Sequence, residues 1–136
     1  MSLSNEERKA VVQLQIEKAI KSFHQITALK ELGYWDIIAN RLYYSAFHAA
    51  CALLINDGHS VSTHKGVVAV LGMHYVKPNI ISREEGKLYS RLQTIRENSD
   101  YNCHCEVDEQ EISPLILPTK QLIEKFILII EQKRQQ

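Results

Sequence analysis

The sequence predicts an all-α fold, an up-and-down bundle of about five helices, and three observations carry that prediction. Apolar residues recur at three- and four-residue spacing through most of the chain, a Ser-x-x-Glu signature stands before two of these stretches, and no segment alternates with period two long enough to make a strand. Ser4 with Glu7 forms the first capping box, after which Val12, Ile16, Ala19, Phe23 and Ile26 line one side of a helix that Gly33 should close in the left-handed conformation. A second helix is expected from about Trp35 to Asp57, with Ile38, Leu42, Ala46, Ala49 and Leu53 inward. Its small residues Ser45, Ala46, Ala49, Ala50 and Ala52 would let a neighbouring helix come close.

Ser62 or Thr63 can cap a short third helix carrying Val67, Val70, Leu71 and His74 on one side, with Pro78 as its stop. Ser82 and Glu85 repeat the capping box and open a fourth helix, with Leu88, Leu92 and Ile95 on one stripe, running to about Tyr101. Pro114 and Pro118 sit at the start of the last pattern, through Leu122, Ile123, Phe126, Ile127 and Ile130, so a kinked or late-starting fifth helix is expected. Apolar residues occupy most of its circumference, which implies burial on two sides.

At 136 residues the chain fits one domain, 1–136, with a core that needs no disulfide or metal. Its 16 Lys+Arg balance 16 Asp+Glu, which excludes the global positive field of a non-specific nucleic-acid binder and makes any RNA contact local. Cys51, Cys103 and Cys105 are an odd, sparse set, no apolar leader precedes Ser-Asn-Glu-Glu-Arg-Lys, and the run Phe126–Ile130 is far short of a membrane span. These features lead us to expect a soluble cytoplasmic protein, with no membrane and no cofactor.

Two segments put arginine and tyrosine on otherwise apolar helical stretches. Arg41, Tyr44 and His48 fall at i, i+3 and i+7 and share a face, where a guanidinium, a phenol and an imidazole could hold a phosphate or a nucleotide. They could equally be architectural, with Arg41 paired to a carboxylate of another helix and the tyrosines packed as amphipathic core residues. In Arg96-Glu-Asn-Ser-Asp-Tyr101, Arg96 and Asp100 are i, i+4 neighbours, and Asp100 could alternatively reach Arg41. An arginine fixed in this way can stabilise charge developing on a phosphodiester, or simply tie two helices together.

His64 and Lys65 stand at the start of the third helix, where backbone amides favour an anion. Cys103-His104-Cys105 suggests a metal, but zinc needs three or four ligands and no second pair follows at finger spacing, so no metal is expected. His104 could approach Arg96 if the chain turns after Tyr101. There is no Gly-rich phosphate loop, nucleophile elbow or paired-carboxylate motif.

Asn40-Arg-Leu-Tyr-Tyr-Ser-Ala-Phe-His-Ala-Ala50, then Thr63-His-Lys-Gly-Val67, then Arg96-Glu-Asn-Ser-Asp-Tyr101, in this order, resemble a small single-domain HEPN protein (higher eukaryotes and prokaryotes nucleotide-binding) over nearly the whole chain. The resemblance implies a helical bundle that dimerises, with its site near the symmetry axis. It also implies the toxin-antitoxin, CRISPR or anti-phage setting in which many such proteins are metal-independent ribonucleases, often partnered by a minimal nucleotidyltransferase. The ribonuclease motif of those relatives is an arginine followed after four to six residues by a histidine. Arg96 matches the arginine; Tyr101 stands at the four-residue spacing, and His104 follows after seven. Cys103 occupies the offset at which toxin relatives carry a modified tyrosine.

Two readings of different class follow from the resemblance. In the first, a homodimer cuts single-stranded RNA, with Arg96 orienting the phosphate or stabilising its charge and His104 or Tyr101 assisting proton transfer. In the second, the chain binds a nucleotide or docks a nucleotidyltransferase, and Arg41, Arg96 and Asp100 form a structural polar cluster. Arg96 and His104 of two subunits converging in an open cleft would favour the first, and an Arg96 buried and consumed by Asp100 or another carboxylate would count against it.

Overall fold

The computed structural model describes residues 3–101 and 107–134, and every regular element in them is helical. The order is α1 (Asn5–His24), α2 (Ile26–Leu32), α3 (Trp35–Asn56), α4 (His64–Leu71) with a π-helical turn at Gly72–Val76, α5 (Arg83–Tyr101), α6 (Glu109–Ile112), a 3-10 turn at Ser113–Leu115, and α7 (Ile116–Arg134). The five longest are α1, α3, α4, α5 and α7, as the periodicity requires.

The centre of the bundle is α3, which packs against α1, α2, α4, α5, α6 and α7. Its sequence explains why. Ser45, Ala46, Ala49, Ala50 and Ala52 are all buried and short enough to admit neighbouring backbones, and Ser45 Oγ donates to Leu42 O at 2.9 Å, so its hydroxyl is satisfied inside the helix. Ile38, Leu42, Leu53 and Leu54 of α3 are fully buried beside Leu92, Leu122 and Phe126 from α5 and α7. Each such side chain stabilises the fold by roughly 1.5–3 kcal/mol relative to exposure. No helix among the described residues is long and apolar enough to cross a membrane.

Both predicted capping boxes form. Glu7 N–H donates to Ser4 Oγ at 3.1 Å while Ser4 N–H donates to Glu7 Oε1 at 3.2 Å, and Ser82 and Glu85 make the same exchange at 3.0 and 2.7 Å. Thr63, rather than Ser62, caps α4, accepting from Gly66 N–H at 2.9 Å. Gly33 ends α2 at φ +73°, the left-handed cap expected of it.

Two expectations need correction, and the kinked or late start expected of the last helix is present. The first predicted helix is two, because the chain turns at Gln25 before restarting at Ile26, where neither glycine nor proline marks the break. His74, placed on the apolar stripe of the third helix, is exposed, and Tyr75 is buried in its stead. The π turn inserts one residue into the repeat, so the inward position passes from 74 to 75. The kinked entry to the last helix is a short α6 capped by Asp108, then the 3-10 turn holding Pro114. Pro118 falls in the first turn of α7, where a missing N–H removes no helical bond.

Candidate functional site

Three elements meet around a pair of tyrosines. Tyr43 and Tyr44 are adjacent on α3, so their rings diverge around the helix and lie 5.2 Å apart edge to face. Tyr43 is fully buried and Tyr44 half-buried. From α5, Arg96 packs its guanidinium against both rings, with Cζ 5.4 Å from the Tyr43 centroid and 5.6 Å from that of Tyr44. Its Nη1 donates to Tyr44 Oη at 3.2 Å, and Nε lies 3.6 Å from the carboxylate of Asp100, one turn along α5.

Arg96 is only 7% exposed. A charge at that depth needs compensation on the scale of the whole stability of a small domain, and here it is met by two π faces, a phenol oxygen and a carboxylate. Asp100 is 37% exposed, so the ion pair reaches the surface through its acidic partner. The arginine is therefore held in one orientation, with its aliphatic stem and ring-facing sides covered.

His64, the first residue of α4, completes the cluster. Its Nδ1 lies 2.5 Å from Tyr43 Oη, and its ring lies 4.5 Å from Phe47 and 6.1 Å from Tyr44. Partial burial and the nearby Arg96 cation lower its pKa from the ordinary 6.5, against an opposing pull from Glu97. Burial pushes the Tyr43 hydroxyl up to about 12. Near neutral pH the imidazole and phenol that touch are thus both uncharged.

The second group foreseen on α3 is present in part. Arg41 Cζ stands 5.7 Å from the Tyr44 ring, and Tyr44 and His48 rings are 6.2 Å apart, so the i, i+3, i+7 face exists. Arg41, however, donates from Nε and Nη2 to the neighbouring Asn40 Oδ1 at 3.3 and 2.7 Å rather than pairing with another helix, and Asp100 contacts Arg96 instead of Arg41. His48 Nδ1 shares a hydrogen bond with Gln15 Oε1 of α1 at 2.8 Å, which makes it a tie between helices. Lys65 is exposed beside His64. His104 and the flanking cysteines lie outside the described residues, as does the side chain of Tyr101, the last residue of α5.

A domain model matches residues 12–131 of the chain, and its description is HEPN domain. This chain belongs to the HEPN family. A UPF0332 protein of Thermotoga maritima is 33% identical over 92 residues, 68% of this chain and 70% of the other. Two proteins of Methanocaldococcus jannaschii bear the names "Putative toxin MJ0142" and "Putative toxin MJ0605". The first is 28% identical over 74% of this chain and 69% of its own, the second 24% identical over 92% of each.

Within this HEPN chain, sequence reasoning allowed Tyr43 as a packed core residue, which it is, but did not place Tyr43 or Phe47 in the site. Both stand inside the Asn40–Ala50 segment, but Tyr43 lies one residue off the polar stripe and its partner His64 is 21 residues on, so no local spacing could join them. Among the described residues no three His, Cys, Asp or Glu side chains gather as a metal site.

Proposed function

We propose that this HEPN protein is a toxin-type RNA endonuclease that works without metal, as a homodimer, and that a minimal nucleotidyltransferase is its antitoxin partner. The observation that carries the reading is Arg96 held against the rings of both Tyr43 and Tyr44. Phosphodiester cleavage by the neighbouring 2′-hydroxyl builds charge on the phosphoryl oxygens, and a cation already fixed in place stabilises it without reorganising. An incoming phosphate would replace the surface carboxylate of Asp100 as the anion beside the guanidinium. The names of the toxin-like relatives fit this role.

The reaction needs no second cofactor. The 2′-oxygen bonds to phosphorus, the bond to the 5′-oxygen breaks, and a cyclic phosphate and a 5′-hydroxyl result. A second reading, a nucleotide-binding or docking module without catalysis, is favoured by one fact: Arg96 is 7% exposed and already has a carboxylate.

Incubating the purified chain with total cellular RNA in EDTA separates the two. Cleavage lost in Arg96→Ala and in Arg96→Lys, with both variants retaining the helical circular dichroism of the parent, supports the nuclease. Lysine keeps the charge but not the planar fork that two rings and a phosphate use together. No cleavage, or equal cleavage by all three proteins, would rule the nuclease out in favour of the docking module.

A further inference from the structure

We infer that His64 is the proton-transfer group of this site, accepting the proton of the RNA 2′-hydroxyl at Nε2 while Arg96 holds the phosphate. The inference rests on the nuclease reading and adds to it the identity of the base. In sequence His64 and Arg96 are far apart and belong to no common motif. The fold brings both to the same two rings: Arg96 stands 5.4 Å from Tyr43 and 5.6 Å from Tyr44, and the His64 ring lies 5.6 Å from Tyr43 and 6.1 Å from Tyr44. An arginine and an imidazole thus meet one aromatic pair.

The contact with Tyr43 engages one ring nitrogen and leaves the other open. His64 Nδ1 lies 2.5 Å from Tyr43 Oη, and in the tautomer whose Nδ1–H donates to that oxygen the lone pair is on Nε2, to which no described residue makes a hydrogen bond. Phe47, 4.5 Å away, fixes the ring plane. The groups around the imidazole are Tyr43, Tyr44 and Phe47 from α3 and Arg96 and Glu97 from α5, and burial first, then the Arg96 cation, favour the neutral form that a base requires, against Glu97. In the step, the proton of the 2′-hydroxyl passes to Nε2 as the 2′-oxygen attacks phosphorus, and the 5′-oxygen leaves with a proton from water.

The test uses the full-length chain, a single-stranded RNA oligonucleotide and EDTA, with His64→Ala, His64→Asn, His104→Ala and a distant control, His59→Ala. Asparagine keeps a polar atom near the Nδ1 position for Tyr43 but has nothing at Nε2. The expected result is a loss of about a hundredfold or more in both His64 variants, the contribution typical of general base catalysis, with the control unchanged. The parent's rate should also rise with pH to a plateau, its midpoint below 6.5, and that limb should vanish in His64→Asn. Rescue by asparagine would reduce His64 to a prop for Tyr43 and overturn the inference, as would loss in His104→Ala with His64→Ala unaffected. Either result leaves the nuclease standing, whereas absence of cleavage by the parent removes both.

Discussion

Tyr43 Oη and His64 Nδ1 stand 2.5 Å apart, joining the middle of α3 to the first residue of α4 across an otherwise apolar contact. The phenol is fully buried, so its hydroxyl has exchanged water for this imidazole. Tyr43→Phe keeps the ring that packs on Arg96, Phe47 and Tyr89 and removes only the oxygen. The expected cost is about 1 kcal/mol of stability, seen as a modest drop in thermal midpoint, with a larger fall in RNA cleavage because the His64 ring loses the hydrogen-bond partner that orients it. A melt together with a cleavage assay reads both, and an unchanged melting curve would show that the contact contributes nothing to folding.

Gly86 is the fourth residue of α5, where an alanine would ordinarily gain up to about 1 kcal/mol in helix propensity. Here a Cβ would stand 2.7 Å from Val76 Cγ2, closer than carbon atoms approach. The glycine is what lets α5 cross the π turn at short range. Gly86→Ala should therefore destabilise by about 1–3 kcal/mol, and Val76→Ala in the same chain should recover most of that loss. Denaturant unfolding of the two single variants and the double variant measures the coupling, and additive losses would contradict the contact.

The parts of this fold that were legible in the sequence were those set by local chemistry. Ser4, Thr63, Ser82 and Gly33 announce helix ends through hydrogen bonds and backbone angles confined to a few neighbouring residues, and each does what its position implies. The failures have a common cause. Nothing within a turn of Gln25 distinguishes a broken helix from a continuous one, and the exchange of His74 for Tyr75 depends on a π turn that brings the Tyr75 hydroxyl to Asp57, 18 residues away. The site divides in the same manner. Arg96 and Asp100 pair at i, i+4 as written, whereas Tyr43 with His64 and His48 with Gln15 join residues 21 and 33 apart and become visible only when the helices pack.

His48 provides a pH test of the packing between α1 and α3. Burial first, and then the cations of Lys18 and Arg41, lower its pKa below the ordinary 6.5, while Gln15 engages Nδ1. The unfolded chain therefore binds a proton more readily than the folded one between the two pKa values. The contribution of neutral His48 to stability is full above 6.5 and is lost as the pH falls through the folded value. His48→Gln, which cannot be protonated, should flatten the decline in unfolding free energy on acidification below about pH 6.5 relative to the parent. Parallel slopes for the two proteins over that range would assign the acid sensitivity elsewhere, His64 being the next group with a lowered pKa.

At the opposite end of the bundle Asp57 joins three elements through one oxygen. Just past α3, it accepts from Tyr75 Oη of the π turn and, at 2.6 Å, from Lys133 Nζ near the end of α7. The two donors are not equivalent. Tyr75 is 1% exposed, and its hydroxyl titrates far above the ordinary value because of burial and the adjacent carboxylate, whereas the Lys133 side chain is 39% exposed. Removing the lysine gives up an ion pair that solvent screens, so Lys133→Ala should cost under about 1 kcal/mol and lose that effect in high salt. Asp57→Ala strands a buried phenol as well and should cost about 1–3 kcal/mol that salt does not remove. Tyr75→Phe in the Asp57→Ala background should then restore part of the loss, because the orphaned hydroxyl is gone. Urea unfolding at low and high ionic strength measures all three, and equal losses for the lysine and aspartate variants would show that the ion pair, not the buried phenol, makes Asp57 matter.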